Sequence, residues 1–134
     1  MSAMTNNLEA AVSNTVLRNA AYAYAGQALT LALFVNGAAP ADDGTGGTEA
    51  SWPAYARVAV SFTEFDTPAA DGIAENQNAL TFPTVNGGSS VAVGSWALYA
   101  GATMVLTAPL AAAKTLDVGD VPSFPAGSLK VIWA

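Results

Sequence analysis

The 134-residue sequence contains no cysteine and no histidine, and only 10% of its residues are charged. Without cysteine there are no disulfides and no thiolate to act as nucleophile or metal ligand. Without histidine, proton transfer near neutral pH loses its usual carrier, and zinc loses both of its customary donors. Nothing about redox compartment follows from this. Basic residues are the scarcest charge: 4 Lys and Arg stand against 10 Asp and Glu, a net charge of −6. A basic footprint for nucleic acid is therefore missing. Soluble domains typically carry about 25% charged residues. A chain with 10% charged and 52% hydrophobic residues fits a subunit that covers much of its surface with neighbours. The alternative is a monomer coated with Ala, Gly, Ser and Thr.

Long hydrophobic runs are also lacking. The longest strong one, residues 28–35, has 8 residues, where a membrane-crossing helix needs about 18–20. The N-terminus shows no basic segment followed by an apolar core, so no signal peptide is expected. The polypeptide is expected to be cytosolic when made, or exported by a route the sequence does not display. The length suits one domain with a real core. No fixed-period repeat and no low-complexity linker divides it, so residues 1–134 are expected to form a single domain.

What is present reads as one helix followed by strands. Residues 5–21 read as a helix, with Thr5, Asn6 or Asn7 as its cap and Glu9 near the positive end of its dipole. Leu8, Val12 and Val16 recur at a spacing of four, with Leu17 and Ala20 widening the stripe. So short a stripe needs the domain body or another subunit to cover it. Residues 28–35, ALTLALFV, are apolar on both faces and predict a strand covered on both sides. A long loop with Asn36-Gly37, Pro40 and three further glycines follows, expected to be mobile or to contact a partner.

Residues 56–64 alternate cleanly, with Val58, Val60 and Phe62 on one side and Arg57, Ala59, Ser61 and Thr63 on the other. Further strands are expected at 78–83, 91–100, 104–110, 114–116, 121–124 and 128–133. The pattern places Trp96 and Leu98 on one face of the 91–100 strand and Val91, Val93 and Tyr99 on the other. Met104, Leu106, Ala108 and Leu110 share a face, as do Leu129, Val131 and Trp133. Turn signals every eight to twelve residues predict a mainly β fold. Its architecture is expected to be an antiparallel β-sandwich or jelly-roll-like barrel with one N-terminal α-helix, the β-body spanning residues 28–134.

These residues bear on several chemistries. Asp42, Asp43 and Glu49 among glycines offer oxygen ligands for calcium, but lack the alternate spacing of the usual twelve-residue loop. Glu49, Glu64, Asp66, Asp71 and Glu75 could supply paired carboxylates for glycoside hydrolysis, yet nothing in the sequence brings two together. Serines lack a histidine base, and Gly44 to Gly47 is not followed by the lysine and helix of a phosphate loop. No enzyme, metal or cofactor is expected. Trp96 and Trp133 read as core, whereas Trp52, beside Pro53 in a loop, reads as exposed or interfacial, with sugar binding an unsupported option. The scarce Arg57 is expected to pair with Glu49 and pin the loop against the sheet; contact with a neighbouring subunit or a ligand are the alternatives.

The order of capped helix, LTLALF, DDGTGGTE, YARVAVSF, NALTFPT, VGSWALYA and LTAPLAAAKTLDVGDVPSFPAGSLKV resembles small bacteriophage structural proteins of tail-fibre-like or head-decoration-like type. The resemblance runs from about Leu8 onward, and Gly47-Thr48-Glu49, Tyr55-Ala56-Arg57 and Ala126-Gly127 are its most specific parts. Residues 50–54, Ala-Ser-Trp-Pro-Ala, replace a link that is usually glycine-rich. The resemblance implies a virion protein with no catalytic residues. The leading expectation is a capsid cement or decoration protein made in the host cytoplasm, a homotrimer bound to the major capsid protein at the capsid surface. The helix stripe or loops would make the contact. The alternative is a tail-associated fibre or adhesin module that binds a host receptor or glycan; a small hydrolase is a weak third. Neither nucleic acid nor membrane is an expected partner. The residues singled out for structure or interaction are Glu49, Arg57, Trp52, Tyr55, Leu8, Val12 and Val16.

Overall fold

The computed structural model describes residues 3–62 and 73–132. In chain order its elements are β1 (Ala3–Met4), α1 (Asn6–Arg18), β2 (Leu29–Val35), β3 (Val58–Ala59), β4 (Ile73–Glu75), β5 (Leu80–Thr81), β6 (Val91–Ala100), β7 (Thr103–Leu116), β8 (Ser123–Phe124) and β9 (Lys130–Ile132). A five-stranded antiparallel sheet of order β1-β7-β6-β2-β3 dominates, accompanied by the ribbons β4-β9 and β5-β8. The expected mainly β fold with a single N-terminal helix is present. The edges β1 and β3 do not meet, so the sheet is open and the architecture is sandwich-like, not a closed barrel.

The alternation of β2 explains why the sheet is covered on both sides. Leu31 and Leu33 enter the main core with Trp96, Leu98, Leu106 and Ala108, where Trp52, Phe82, Val85, Leu129 and Val131 pack against them. Ala32 and Phe34 point the other way, into a smaller cluster with Ala97 and Met104. The glycine-rich loop, residues 36–48, reaches the second face: an added Cβ at Gly44 would stand 3.8 Å from the Met104 Cβ. That loop is tied down. Thr48 N–H donates to the Ala38 carbonyl at 2.9 Å, and Asn6 N–H donates to the Asp42 carbonyl at 3.1 Å. Gly47, at φ +75°, has no room for a side chain, since a Cβ there would lie 2.7 Å from the Pro40 nitrogen. The loop, expected to be mobile or to contact a partner, is held by hydrogen bonds as a cover over this face.

β6 and β7 pair along their length but shift register between Val93 and Ser95 and again between Leu98 and Tyr99. The first bulge reverses the alternation at Gly94, so Val93 joins Trp96 in the main core and does not oppose it. The second sends Met104 to the smaller cluster while Val105 and Leu106 face the main one. Residues 114–116, read as a separate strand, are the end of β7. β3 is a two-residue edge strand, but its flanks keep the expected alternation: Val60 is buried, Val58 and Phe62 are half-buried, and Arg57, Ala59 and Ser61 are exposed. Leu129 and Val131 share the core as expected. Thr63, Glu64, Asp66, Asp71 and Trp133 lie outside the described residues.

α1 is shorter than the expected 5–21. Thr5 caps it, its hydroxyl accepting the Leu8 N–H at 3.4 Å and donating to the Met104 carbonyl at 2.9 Å. One fully buried side chain thus starts the helix and stitches it to β7. Asn19 in the left-handed region (φ 54°) closes the other end, its N–H donating to the Asn14 carbonyl. Leu8 and Ala11 are buried and Val12 is half-buried, whereas Val16 is 72% and Leu17 80% exposed. The continuous stripe is therefore split. Among the strands the helix meets β1 and β7, the latter at its start through Thr5, so its first turns find a body beneath them and its last turns do not.

Candidate functional site

β2 has β6 along one edge, while its other edge is covered in two instalments. β3 pairs with it at Thr30 and Leu31. Farther along, Val35 N–H donates to the Thr48 carbonyl at 2.8 Å, Ala50 N–H donates to the Leu33 carbonyl at 2.8 Å, and Glu49 bridges Phe34. Between the instalments the chain leaves the sheet, over residues 51–57. The Leu33 N–H faces that gap, and an orphaned buried donor costs about 1–3 kcal/mol. The Tyr55 hydroxyl fills it, accepting from Leu33 N–H at 3.2 Å.

That hydroxyl spends its own proton on Glu49 Oε1 at 2.7 Å. Arg57 completes the carboxylate with a fork, Nε to Oε1 and Nη2 to Oε2, both at 2.9 Å. The guanidinium lies over the Tyr99 ring, Cζ 3.7 Å from its centroid. Behind Tyr55, Trp52 meets its ring nearly edge-on at 4.8 Å, and Phe82 stacks on it at 6.2 Å with a 14° tilt between the planes.

Electrostatics follow from this geometry. Burial pushes the Glu49 carboxyl up, but hydrogen bonds from Arg57 and Tyr55, with the charge of Arg57, outweigh it and hold the group below the ordinary carboxylate range. Burial, then the hydrogen bond to Glu49, pushes the Tyr55 hydroxyl far above the usual tyrosine value. Hydrogen bonds to Glu49 raise Arg57 further, against its partial burial. Both Glu49 oxygens and the Tyr55 hydroxyl are engaged, and Glu49 stays ionised across neutral pH. Such a corner holds chain segments together; it presents no group poised to exchange a proton with a substrate.

The expected Glu49–Arg57 pair is thus formed, with Tyr55 drawn into it. Trp52 requires a correction: it is 6% exposed and packs in the main core, not at a surface. Loop 51–57 folds inward because both its ends are fixed to the β2 edge, which turns the indole under the sheet. The indole Nε1 has no acceptor among the described residues. Leu8, Val12 and Val16 lie on α1 and take no part in the corner.

The other candidates disperse. Asp43 accepts from Thr45 N–H at 2.9 Å and Thr45 Oγ1 at 2.6 Å, bonds that lower its carboxyl below the usual range. Among the described residues no three acidic side chains converge as metal ligands. Glu75 pairs with Lys130 at 2.8 Å across the β4-β9 ribbon.

Two contributors escaped the sequence. Tyr99 supplies the ring under Arg57; its place in a strand was visible, but its partner was not. Asn76, 1% exposed, donates from its amide to the Asn78 and Pro125 carbonyls at 2.8 and 3.0 Å and accepts the Leu129 N–H at 2.8 Å. It sits in the polar run Glu75 to Asn78, where nothing marks one residue as buried.

The family model described as podophage GP4 fiber I protein gp80 matches residues 3–132. No curated protein matches the chain.

Proposed function

The chain belongs to this family of bacteriophage structural proteins, components of the virion, and from that premise we propose that it is a non-enzymatic subunit of a tail-associated fibre. One observation carries the reading: the match to a fibre protein takes in the whole described body, from β1 to β9, not a single module. The sealed β2 edge supports it. A fibre subunit outside the particle keeps its shape without disulfides, and here a buried tyrosine and a forked ion pair hold a loop-rich chain together.

The family name favours the fibre over the capsid cement that composition and resemblance alone put first. Gold-labelled antibody against the protein on intact virions distinguishes the two. Label confined to the tail region is the expected result; label spread evenly over the head overturns the fibre reading in favour of decoration. The same particles answer the adhesin question, since purified protein that binds host cells and competes with adsorption would place the subunit at the receptor. Native mass spectrometry reads the number of copies that associate, and the threefold expectation of the sequence stands or falls on it.

A further inference from the structure

A second region handles strand edges in the opposite way. The pairing of β6 with β7 passes from Ser95–Pro109 to Val93–Lys114, so residues 110–113 stand opposite Gly94 alone. Gly94 has no space for a side chain, because a Cβ there would lie 2.9 Å from the Asn36 Cα. The excursion is therefore built into the backbone. Ala111, Ala112 and Ala113 are exposed, and among the described residues no strand pairs with the outer edge of β7 past Thr107.

This excursion forms one wall of an open groove of about 530 Å³. The other wall is the chain at 122–125 and 128–130. Along each wall consecutive residues line the groove, whereas a strand showing one face would contribute every second residue. On the β7 wall that run is the excursion, whose outer edge has no strand neighbour among the described residues. The second wall is closed by its own partners: β8 pairs with β5, β9 pairs with β4, and Asn76 donates to the Pro125 carbonyl and accepts the Leu129 N–H. Leu33, Val93, Trp96 and Leu129 contribute apolar surface to the lining. The only two lysines of the chain, Lys114 and Lys130, also line it. Lys130 is held by Glu75, while Lys114 is exposed and makes no ion pair with a described residue. In a chain of net charge −6, this groove combines apolar lining with cationic charge.

We propose that the groove receives one extended strand of another polypeptide, which pairs its backbone with the β7 excursion. Its apolar side chains meet the apolar lining, and an Asp or Glu meets Lys114. The open backbone edge of the β7 excursion selects a polypeptide over a lipid or a sugar, and Lys114 selects an acidic one. The inference rests on the groove alone and does not depend on where in the virion the chain sits.

The test uses the full chain, isotope-labelled, and a short capped peptide of alternating Val and Thr with one central Glu. A control peptide carries Lys in place of that Glu. The expected result is a set of amide shifts confined to 110–115 and 122–132, with the Glu peptide bound at least about tenfold tighter than the Lys peptide. K114E, at an exposed position, should fold as the parent does and reverse that preference. The proposal is overturned by equal binding of the two peptides, by binding of neither at millimolar concentration, or by shifts elsewhere. It is equally overturned if decanoate alone fills the groove, or if the groove amides shift with protein concentration before any peptide is added, which would make the occupant a second copy.

Discussion

The β2 edge and the β7 excursion pose the same problem and solve it oppositely. At β2 the chain breaks its pairing for a few residues, and the Tyr55 hydroxyl replaces the missing carbonyl for Leu33. At β7 the chain breaks its pairing opposite Gly94, and exposed alanines leave the backbone open. An ion pair at each place shows the same contrast. Glu49–Arg57 is a fork with a tyrosine on the carboxylate and a ring under the guanidinium. Glu75–Lys130 is a pair across an exposed ribbon, its side chains 37% and 49% accessible. The difference teaches that an open edge in this fold is not a general feature of short strands; one is closed at some cost in buried polar groups, and the other is not.

The comparison can be broken most severely at Gly47, which leads the 48–50 segment onto β2. Gly47→Ala combines a positive φ with contact against the Pro40 backbone and should cost about 3 kcal/mol in denaturant unfolding. Tyr55→Phe keeps the ring packing but orphans the Leu33 N–H and one Glu49 lone pair, an expected loss of about 2 kcal/mol by the same measurement. Arg57→Glu sets like charges together at a partly exposed site and should cost about 1.5 kcal/mol. Exchanging both charges should recover only part of this, because the Tyr55 hydroxyl then meets a cation; no recovery at all would contradict the pairing. At the open end, Lys130→Gln should change stability by no more than about 0.5 kcal/mol.

The effects of pH differ in sign. Glu49 titrates lower in the folded chain than when unfolded. Its contribution is therefore complete above the ordinary carboxylate range and lost as pH falls through the lowered value; Glu49→Gln should flatten acid unfolding over that window by under about 1 kcal/mol. Tyr55 titrates higher when folded. Its contribution is complete below the ordinary tyrosine value near 10 and declines as pH rises through the raised one. Tyr55→Phe should remove that alkaline slope, read by unfolding at a series of pH values.

The long strands were legible because composition and period agree over seven or more residues. β2 and β6 stand within a residue of where ALTLALFV and VAVGSWALYA place them. β1 and β4, with two and three residues, are too short to show a period. The bulges at Gly94 and beside Tyr99 were invisible, since a bulge is decided by what meets the strand across the sheet, here the backbone of Asn36. The α1 stripe showed which face is apolar but not how far the body extends beneath it; of the two covers expected, domain body or another subunit, the body reaches Leu8 and Val12 and stops short of Val16 and Leu17. In the corner, Glu49 and Arg57 were legible from the scarcity of charge and their nearness in the chain. Trp52 was misplaced because its proline neighbour signals a loop, and a loop fixed at both ends can turn inward. Asn76 acts through a residue 53 positions away, a distance that local pattern does not bridge.

Amide hydrogen exchange measured on one sample reads both edges at once. The closed-edge account predicts that the Leu33 amide exchanges only with global unfolding in the parent protein and far faster in Tyr55→Phe, while the amides of Ala111, Ala112 and Ala113 exchange rapidly in both. A Leu33 amide that is equally slow in Tyr55→Phe, or protected amides along the excursion of the isolated chain, would contradict it.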